Sequence, residues 1–170
     1  MLKPAILYKE QITKKFQERF YTDDMLYETG CNENWSPNIA NCPDESTFQF
    51  AIVDKADNCI GFVSFKIDWY SSQAYNFGII SFDKGNIVVG KALYEVMDMI
   101  MNEYKIYRIE WRMVGGNPVE RSYDRFCKKY NGTKYVLHDV IRDKYGKYRD
   151  NVVYEILIKE NKHARELSWI

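Results

Sequence analysis

Residues 86–104 read Asn86-Ile87-Val88-Val89-Gly90-Lys91-Ala92-Leu93-Tyr94-Glu95-Val96-Met97-Asp98-Met99-Ile100-Met101-Asn102-Glu103-Tyr104. Val89, Ala92, Leu93, Val96, Met97, Ile100 and Tyr104 recur there at the i, i+3, i+4, i+7 spacing that lines one face of an α-helix. About four turns of amphipathic helix need an apolar surface to lie on. The preceding sequence supplies one. Phe48 to Val53 and Ile60 to Ile67 are rich in aromatic and branched residues, and Asp54, Asp57 and Asn58 between them supply turn chemistry, so the pair reads as a β-hairpin. Ala74 to Phe82 reads as a third, adjacent strand. The helix is therefore expected to lie flat on a sheet.

Further along, Tyr107 to Val114 reads as a strand, and Gly115 and Gly116 break regular structure. Asn117 followed by Pro118 has the look of an N-cap with proline at the first helical position. Val119, Tyr123, Phe126 and Tyr130 then share a helical face, and Asn131 with Gly132 can end that helix in left-handed geometry. Tyr135 to Arg142 and Val152 to Lys159 read as a last antiparallel pair joined by a turn around Gly146. Toward the start, Ala5 to Tyr8 is a short apolar run read as a first strand, and Ile12, Phe16 and Phe20 recur as a helix stripe. Thr22 is placed to cap a second short helix with Met25 and Leu26 facing inward. Gly30 to Glu45, with Asn32, Asn34, Ser36, Pro37, Asn38, Asn41 and Pro43, reads as a loop. The sum is an α+β fold, a mixed and mostly antiparallel sheet with helices on both faces.

At 170 residues the chain is expected to form one domain spanning 1–170. With 46% hydrophobic and 28% charged residues it matches the globular mix, which excludes disordered and collagen-like classes. Its 14 Tyr, 9 Phe and 4 Trp are enough to fill a core and still line a cleft. No apolar run approaches the roughly 18 residues of a membrane span, and Met1 to Glu10 lacks the apolar segment of a signal peptide. A cytoplasmic location is expected, with no membrane partner. The net charge of zero argues against nucleic acid as a partner. It hides an asymmetry, since residues 1–100 hold 9 Lys plus Arg against 14 Asp plus Glu, whereas residues 101–170 hold 15 against 10. Such a chain can offer a basic side to a phosphorylated ligand and an acidic side to an amine, although a mixed solvated surface has the same composition. Cys31, Cys42, Cys59 and Cys127 show no C-x-x-C spacing, and His138 and His163 complete a set that indicates neither a metal site nor a Cys-His nucleophile.

Three local stretches carry a resemblance. Val88-Val89-Gly90-Lys91-Ala92-Leu93 follows a strand and opens a long helix, where consecutive backbone N–H groups can meet a diphosphate. Arg108-Ile109-Glu110-Trp111-Arg112 leads through Gly115-Gly116 to Asn117 and the helix containing Tyr123. Gly146-Lys147-Tyr148-Arg149-Asp150 precedes the last strand. In these stretches and in element order the chain resembles the GNAT superfamily of acyl-CoA-dependent N-acetyltransferases, and most of all the branch that acetylates N-termini of ribosomal proteins. The phosphate loop departs from the family pattern R/Q-x-x-G-x-G/A: Gly85 stands where Arg or Gln is usual and Val88 where the first Gly is usual.

The resemblance implies acetyl transfer from acetyl-CoA to a primary amine, on a small molecule or a protein N-terminus, by direct attack and without a metal. It implies that the strand from Ala74 to Phe82 splays from the strand from Tyr107 to Val114, with Ile80 and Phe82 at the rim. Val88, Val89, Gly90, Lys91, Asn117 and Tyr123 are then the other cofactor-binding candidates. The acceptor must lose a proton before it can attack, and Glu110 is the candidate base. Tyr123 is the candidate donor to the departing thiolate, because a phenol with a pKa of about 10 keeps its proton at neutral pH. Each residue also has a plainer reading. Tyr123 falls on a core stripe, Glu110 can pair with Arg108 or Arg112, Lys91 can be an exposed helix lysine, Asn117 can serve only as a cap, and His138 reads as structural. A second function class stays open, a GNAT-like binding or regulatory module whose altered phosphate loop no longer holds CoA. A monomer or a homodimer is equally compatible with the sequence.

Overall fold

The computed structural model describes residues 1–42 and 44–163; Pro43 of the asparagine-rich loop lies outside them. The main elements are β1 (Leu2–Pro4), α1 (Lys9–Gln17), α2 (Asp24–Glu28), β2 (Thr47–Val53), β3 (Cys59–Asp68), β4 (Gln73–Ser81), α3 (Ile87–Asp98), β5 (Arg108–Val114), α4 (Glu120–Lys129), β6 (Thr133–Arg142) and β7 (Tyr148–Leu157). The seven strands make one sheet in the order β1-β2-β3-β4-β5-β7-β6. The β4–β5 pair is parallel and the other five are antiparallel. This is the expected mixed α+β sheet. Among the described residues no helix is long and apolar enough to cross a membrane.

Both faces of the sheet are covered. On one, Ala92, Val96 and Met97 of α3, Ile100 just past its end, and the α4 residues Tyr123 and Phe126 pack on Val63, Phe65, Ile109 and Trp111. On the other, Ile12 and Phe16 of α1 are fully buried against Ala51, Phe62 and Ile80. The long helix keeps its apolar face to Ile100 and Met101, but Met99–Glu103 widens into a π turn closed by Tyr104 N–H on Met99 O at 2.9 Å.

Four local expectations are corrected. Ala5–Tyr8 is a single 3-10 turn, not a strand; three residues per turn bring Ala5 and Tyr8 together into the core and leave Ile6 and Leu7 outside. The first strand is instead the three residues before it. Thr22 does not cap α2, because its hydroxyl donates to Arg19 O at 2.6 Å, and Asp23 holds the cap position. Asn117 does cap a turn, accepting from Val119 N–H at 3.0 Å, but α4 proper starts only at Glu120. At the far end of α4, Asn131 alone takes the left-handed conformation, with φ 52°.

One irregularity shapes the centre of the sheet. Between β3 and β4 the register runs from Ser64↔Gly78 to Lys66↔Tyr75, so Asn76 and Phe77 together face the single residue Phe65. Between β4 and β5 it runs from Ala74↔Ile109 to Phe77↔Trp111, again with one residue too many on β4. Asn76 is exposed and left-handed at φ 51°. It is the inserted residue of a β-bulge, a position that asparagine accepts and a branched residue resists. Asn76→Val is expected to cost about 1–2 kcal/mol, read as a fall in Tm of roughly 2–4 °C per kcal/mol. Asn76→Gly should hold the wild-type Tm, and equal Tm values for the two variants would remove the bulge as the cause.

Candidate active site

The bulge opens a seam. Phe77 and Trp111 are the last paired residues of β4 and β5, and beyond them the strands diverge. Strand alternation tells which backbone groups this leaves free. Phe82 N–H bonds to Ile60 O at 2.8 Å, so in the antiparallel β3–β4 ladder the pairs two residues on, Phe62 with Ile80 and Ser64 with Gly78, are also the hydrogen-bonded ones. Ile79 and Ser81 therefore turn their backbone groups toward the seam. Ile80 and Phe82, the residues expected at the rim, spend theirs on β3. The Ile80 side chain still lines the cleft below, whereas Phe82 stacks edge-on against Phe16 with centroids 5.5 Å apart and lies under the Arg19 guanidinium.

The seam leads into a cleft of about 1250 Å³. Its walls come from β4, the start of α3, the start of α4, α2, and the loop residues Trp35, Pro37 and Asn38. Gly90, Lys91, Val89, Asn117 and Tyr123 all line it, and Val88 does not. At the α3 N-terminus the Asn86 side chain accepts from Val88 N–H at 2.9 Å, and Asn86 O accepts from Val89 N–H at 3.2 Å. Of the candidate amides of this stretch, those of Val88 and Val89 are thus already held. Gly85 and Ile87 have no acceptor for their N–H groups among the described residues, and both residues line the cleft. A Cβ built on Gly85 or Gly90 meets no atom within 4 Å, so open space lies beside them. An anion fits there, next to a helix N-terminus and the Lys84 and Lys91 side chains.

Tyr123 is 8% exposed, wedged edge-on against Trp111 and Tyr154 at 6.0 and 5.9 Å between centroids. It is a core residue that also forms part of the cleft wall. Its hydroxyl has no hydrogen-bond partner among the described residues, and burial pushes its pKa up to about 12. The phenol is a proton-bearing donor with no acceptor among the described residues.

Glu110 lies elsewhere. Its carboxylate accepts from Arg108 at 2.9 Å and from two nitrogens of Arg112 at 3.0 and 3.1 Å, and it is not on the cleft wall. Alternation along β5 sends Ile109, Trp111 and Met113 toward the α3 and α4 face and Glu110 away from it. His138 pairs with Asp150 on the exposed β6 edge at 3.2 Å.

The cleft also holds residues that the sequence reading did not single out. Tyr27 and Glu28 arrive on α2, and Trp35 on the loop. Arg19 joins Glu28 to the seam by donating to Glu28 Oε1 and, at 2.9 Å, to Ser81 O. Of these, only Trp35 stands within the Gly30 to Glu45 segment that reads as a loop in the sequence. Nothing in the spacing of Arg19, Glu28 and Ser81 along the chain announces that they meet.

An opened parallel seam with outward-facing amides, a helix N-terminus beside free space, and a buried phenol suit a long ligand that is anionic at one end and carries amides along its length. No protein-family model and no curated sequence matches the chain. Solved structures match in fold. Spermidine N-acetyltransferase from Vibrio cholerae, in complex with CoA and spermine, superposes with a TM-score of 0.70 at 16% identity, over 95% of this chain and 96% of that one. The chain has the GNAT acetyltransferase fold. A chimera of the Vibrio cholerae spermidine N-acetyltransferase SpeG with hSSAT shares the GNAT fold at a TM-score of 0.65 and 17% identity, over 95% of this chain and 98% of the chimera.

The state of Tyr123 is open to a direct check. Its folded pKa lies above the unfolded value of about 10, so its contribution to stability is complete below about pH 10 and is lost as the pH rises through about 12. Alkaline absorbance titration should show a tyrosine with a midpoint near 12 that is missing from Tyr123→Phe; an unchanged titration would place another phenol there.

Proposed function

We propose that this protein is an acetyl-CoA-dependent N-acetyltransferase whose acceptor is the primary amine of a small cationic molecule. The observation that carries the reading is the seam. Ile79 and Ser81 turn backbone N–H groups with no acceptor among the described residues into the middle of a sheet, where such groups are costly unless a ligand meets them. The cleft beyond joins those groups to the α3 N-terminus at one side and to Tyr123 at the other. Acetyl-CoA has the matching parts, a diphosphate, two amides along the pantetheine arm and an activated thioester.

In this reading Gly85 and Ile87 give their N–H groups to the diphosphate, with Lys91 close by. Ile79 or Ser81 N–H polarises the thioester carbonyl, a fixed donor that needs no reorganisation during the reaction. Tyr123 donates a hydrogen bond to the departing sulfur. With its pKa near 12, the phenol keeps its proton against a thiolate whose parent thiol titrates near about 8.5. It therefore stabilises the leaving group without surrendering its proton. On the acceptor side, Tyr27, Trp35, Asp24 and Glu28 supply aromatic faces and carboxylates, which suit an ammonium group. That wall favours a small polyamine-like acceptor over a protein N-terminus, the acceptor implied by the ribosomal-protein branch. Spermine and CoA occupy the Vibrio cholerae enzyme of the same fold.

One observation favours the other class, a binding module that has lost CoA: the Asn86 side chain occupies Val88 N–H. Thermal denaturation separates the two. Acetyl-CoA at 100 times its Kd should add about 2.7 kcal/mol of stability, whereas no shift at millimolar acetyl-CoA would establish the module. Gly90→Leu should fold as well as the wild type, because its side chain enters open space, and should lose acetyl-CoA binding. Tyr123→Phe should bind acetyl-CoA within about twofold of wild type and lower kcat by about 10- to 100-fold, as the loss of one transition-state hydrogen bond does.

A further inference from the structure

Two carboxylates line the cleft among the described residues, Asp24 and Glu28. Asp24 is exposed and engaged with Lys84 Nζ at 2.8 Å. Glu28 is different. One of its oxygens accepts from Arg19, while Oε2 is buried and has no hydrogen-bond partner. A buried carboxylate oxygen left without a donor is costly, and such groups concentrate where a ligand supplies the missing bond. The same Arg19 that holds Oε1 also donates to Ser81 O at 2.9 Å. Glu28 is thereby fixed relative to the very strand end whose amides face the seam. Its helix is clamped from outside, since Tyr145 Oη donates to Asp23 at 2.8 Å and the Arg149 guanidinium lies 5.8 Å from the Tyr27 ring centroid.

We propose that Glu28 is the carboxylate that receives the acceptor ammonium and takes its first proton, Oε2 being the vacant accepting position. The assignment rests on the transferase reading above and replaces Glu110, whose carboxylate is held by Arg108 and Arg112 away from the cleft. The ammonium N–H bond breaks and its proton goes to Oε2. The lone pair left on nitrogen forms the new C–N bond as the C–S bond breaks, and the electrons of that bond leave on sulfur. A second proton, lost from nitrogen when the amide forms, reaches the thiolate through solvent, and Glu28 returns its own proton to water when the product leaves. The charged groups facing Glu28 are Arg19 at the end of α1, Asp24 on α2 and Lys84 before α3. Burial raises the carboxyl from its ordinary range more than Arg19 lowers it, which brings the base closer to neutral pH.

The test uses the full chain, acetyl-CoA titration calorimetry and CoA-release rates with spermidine, n-butylamine and a tripeptide with a free N-terminus. Glu28→Gln should bind acetyl-CoA within about twofold of wild type and lose at least about 100-fold in turnover at pH 7. At pH 10, where a free amine of pKa about 10.4 deprotonates by itself, the deficit should shrink below about tenfold. Wild-type turnover in the variant, or an equal deficit at both pH values, overturns the assignment. So does a wild-type protein that binds acetyl-CoA and acetylates none of the three amines; one that does not bind acetyl-CoA overturns the transferase reading instead. Should Glu28→Gln fail to fold, the carboxyl ¹³C resonance of Glu28 in the wild-type protein with CoA is followed during spermidine titration. It should move as the amine binds, and a static resonance overturns the assignment.

Discussion

The left-handed backbone at Asn76 is the constraint on which the site depends. A parallel pair of regular strands would satisfy every backbone group between β4 and β5 and leave no room for a ligand. One inserted residue bends β4 and increases its twist, and the ladder with β5 stops at Phe77 and Trp111. The apolar core beneath does not follow the strands apart, because α3, the π turn after it and α4 fill the space under the pairs that remain with Val96, Met97, Ile100 and Phe126. The result is a defect held open by a well-packed surround, with donors on one lip and a helix N-terminus at the end.

A second constraint keeps the α2 side of the cleft in place. The tip of the β6–β7 hairpin is organised by the buried Asp143, which accepts from Tyr145 and Lys147 N–H and from Arg149 Nε at 3.0, 2.9 and 2.8 Å. With its tip so fixed, Lys144 reaches Asp23 and Glu33 at 3.4 and 3.3 Å, and Tyr145 reaches Asp23. The acidic N-terminal part and the basic C-terminal part of the chain meet here. The charge asymmetry thus joins the two ends of the chain, and Arg19 extends the same pairing inward to Glu28 and β4. Each exposed pair contributes little alone; together they set where α2 stands.

Much of the fold was legible because it rests on period. The α3 stripe, the β2–β3 hairpin and the α4 face of Tyr123 and Phe126 are short-range patterns that burial then enforces. The misread segments are those where period is too short to decide. Ala5 to Tyr8 has four apolar residues, which a strand and a 3-10 turn explain equally well until Ala5 and Tyr8 find the core on the same side. The site was less legible. Gly90, Lys91, Asn117 and Tyr123 do line the cleft, yet the free amides at α3 belong to Gly85 and Ile87, because the Asn86 side chain folds onto Val88. Glu110 and Glu28 look alike in a sequence; strand alternation turns one away from the cleft, and a helix five residues long points the other at it.

What the chain alone determined was which residues alternate, which recur every third or fourth place, and where turns interrupt them, since these follow from the geometry of a single strand or helix. What the tertiary structure decided was which groups are left without partners among the described residues, the Ile79 and Ser81 amides, the Tyr123 hydroxyl and Glu28 Oε2 among them. An unpaired group is a statement about everything around it. Residues as distant along the chain as Arg19, Glu28 and Ser81 must be brought together before the missing bond exists, and no local pattern encodes that meeting.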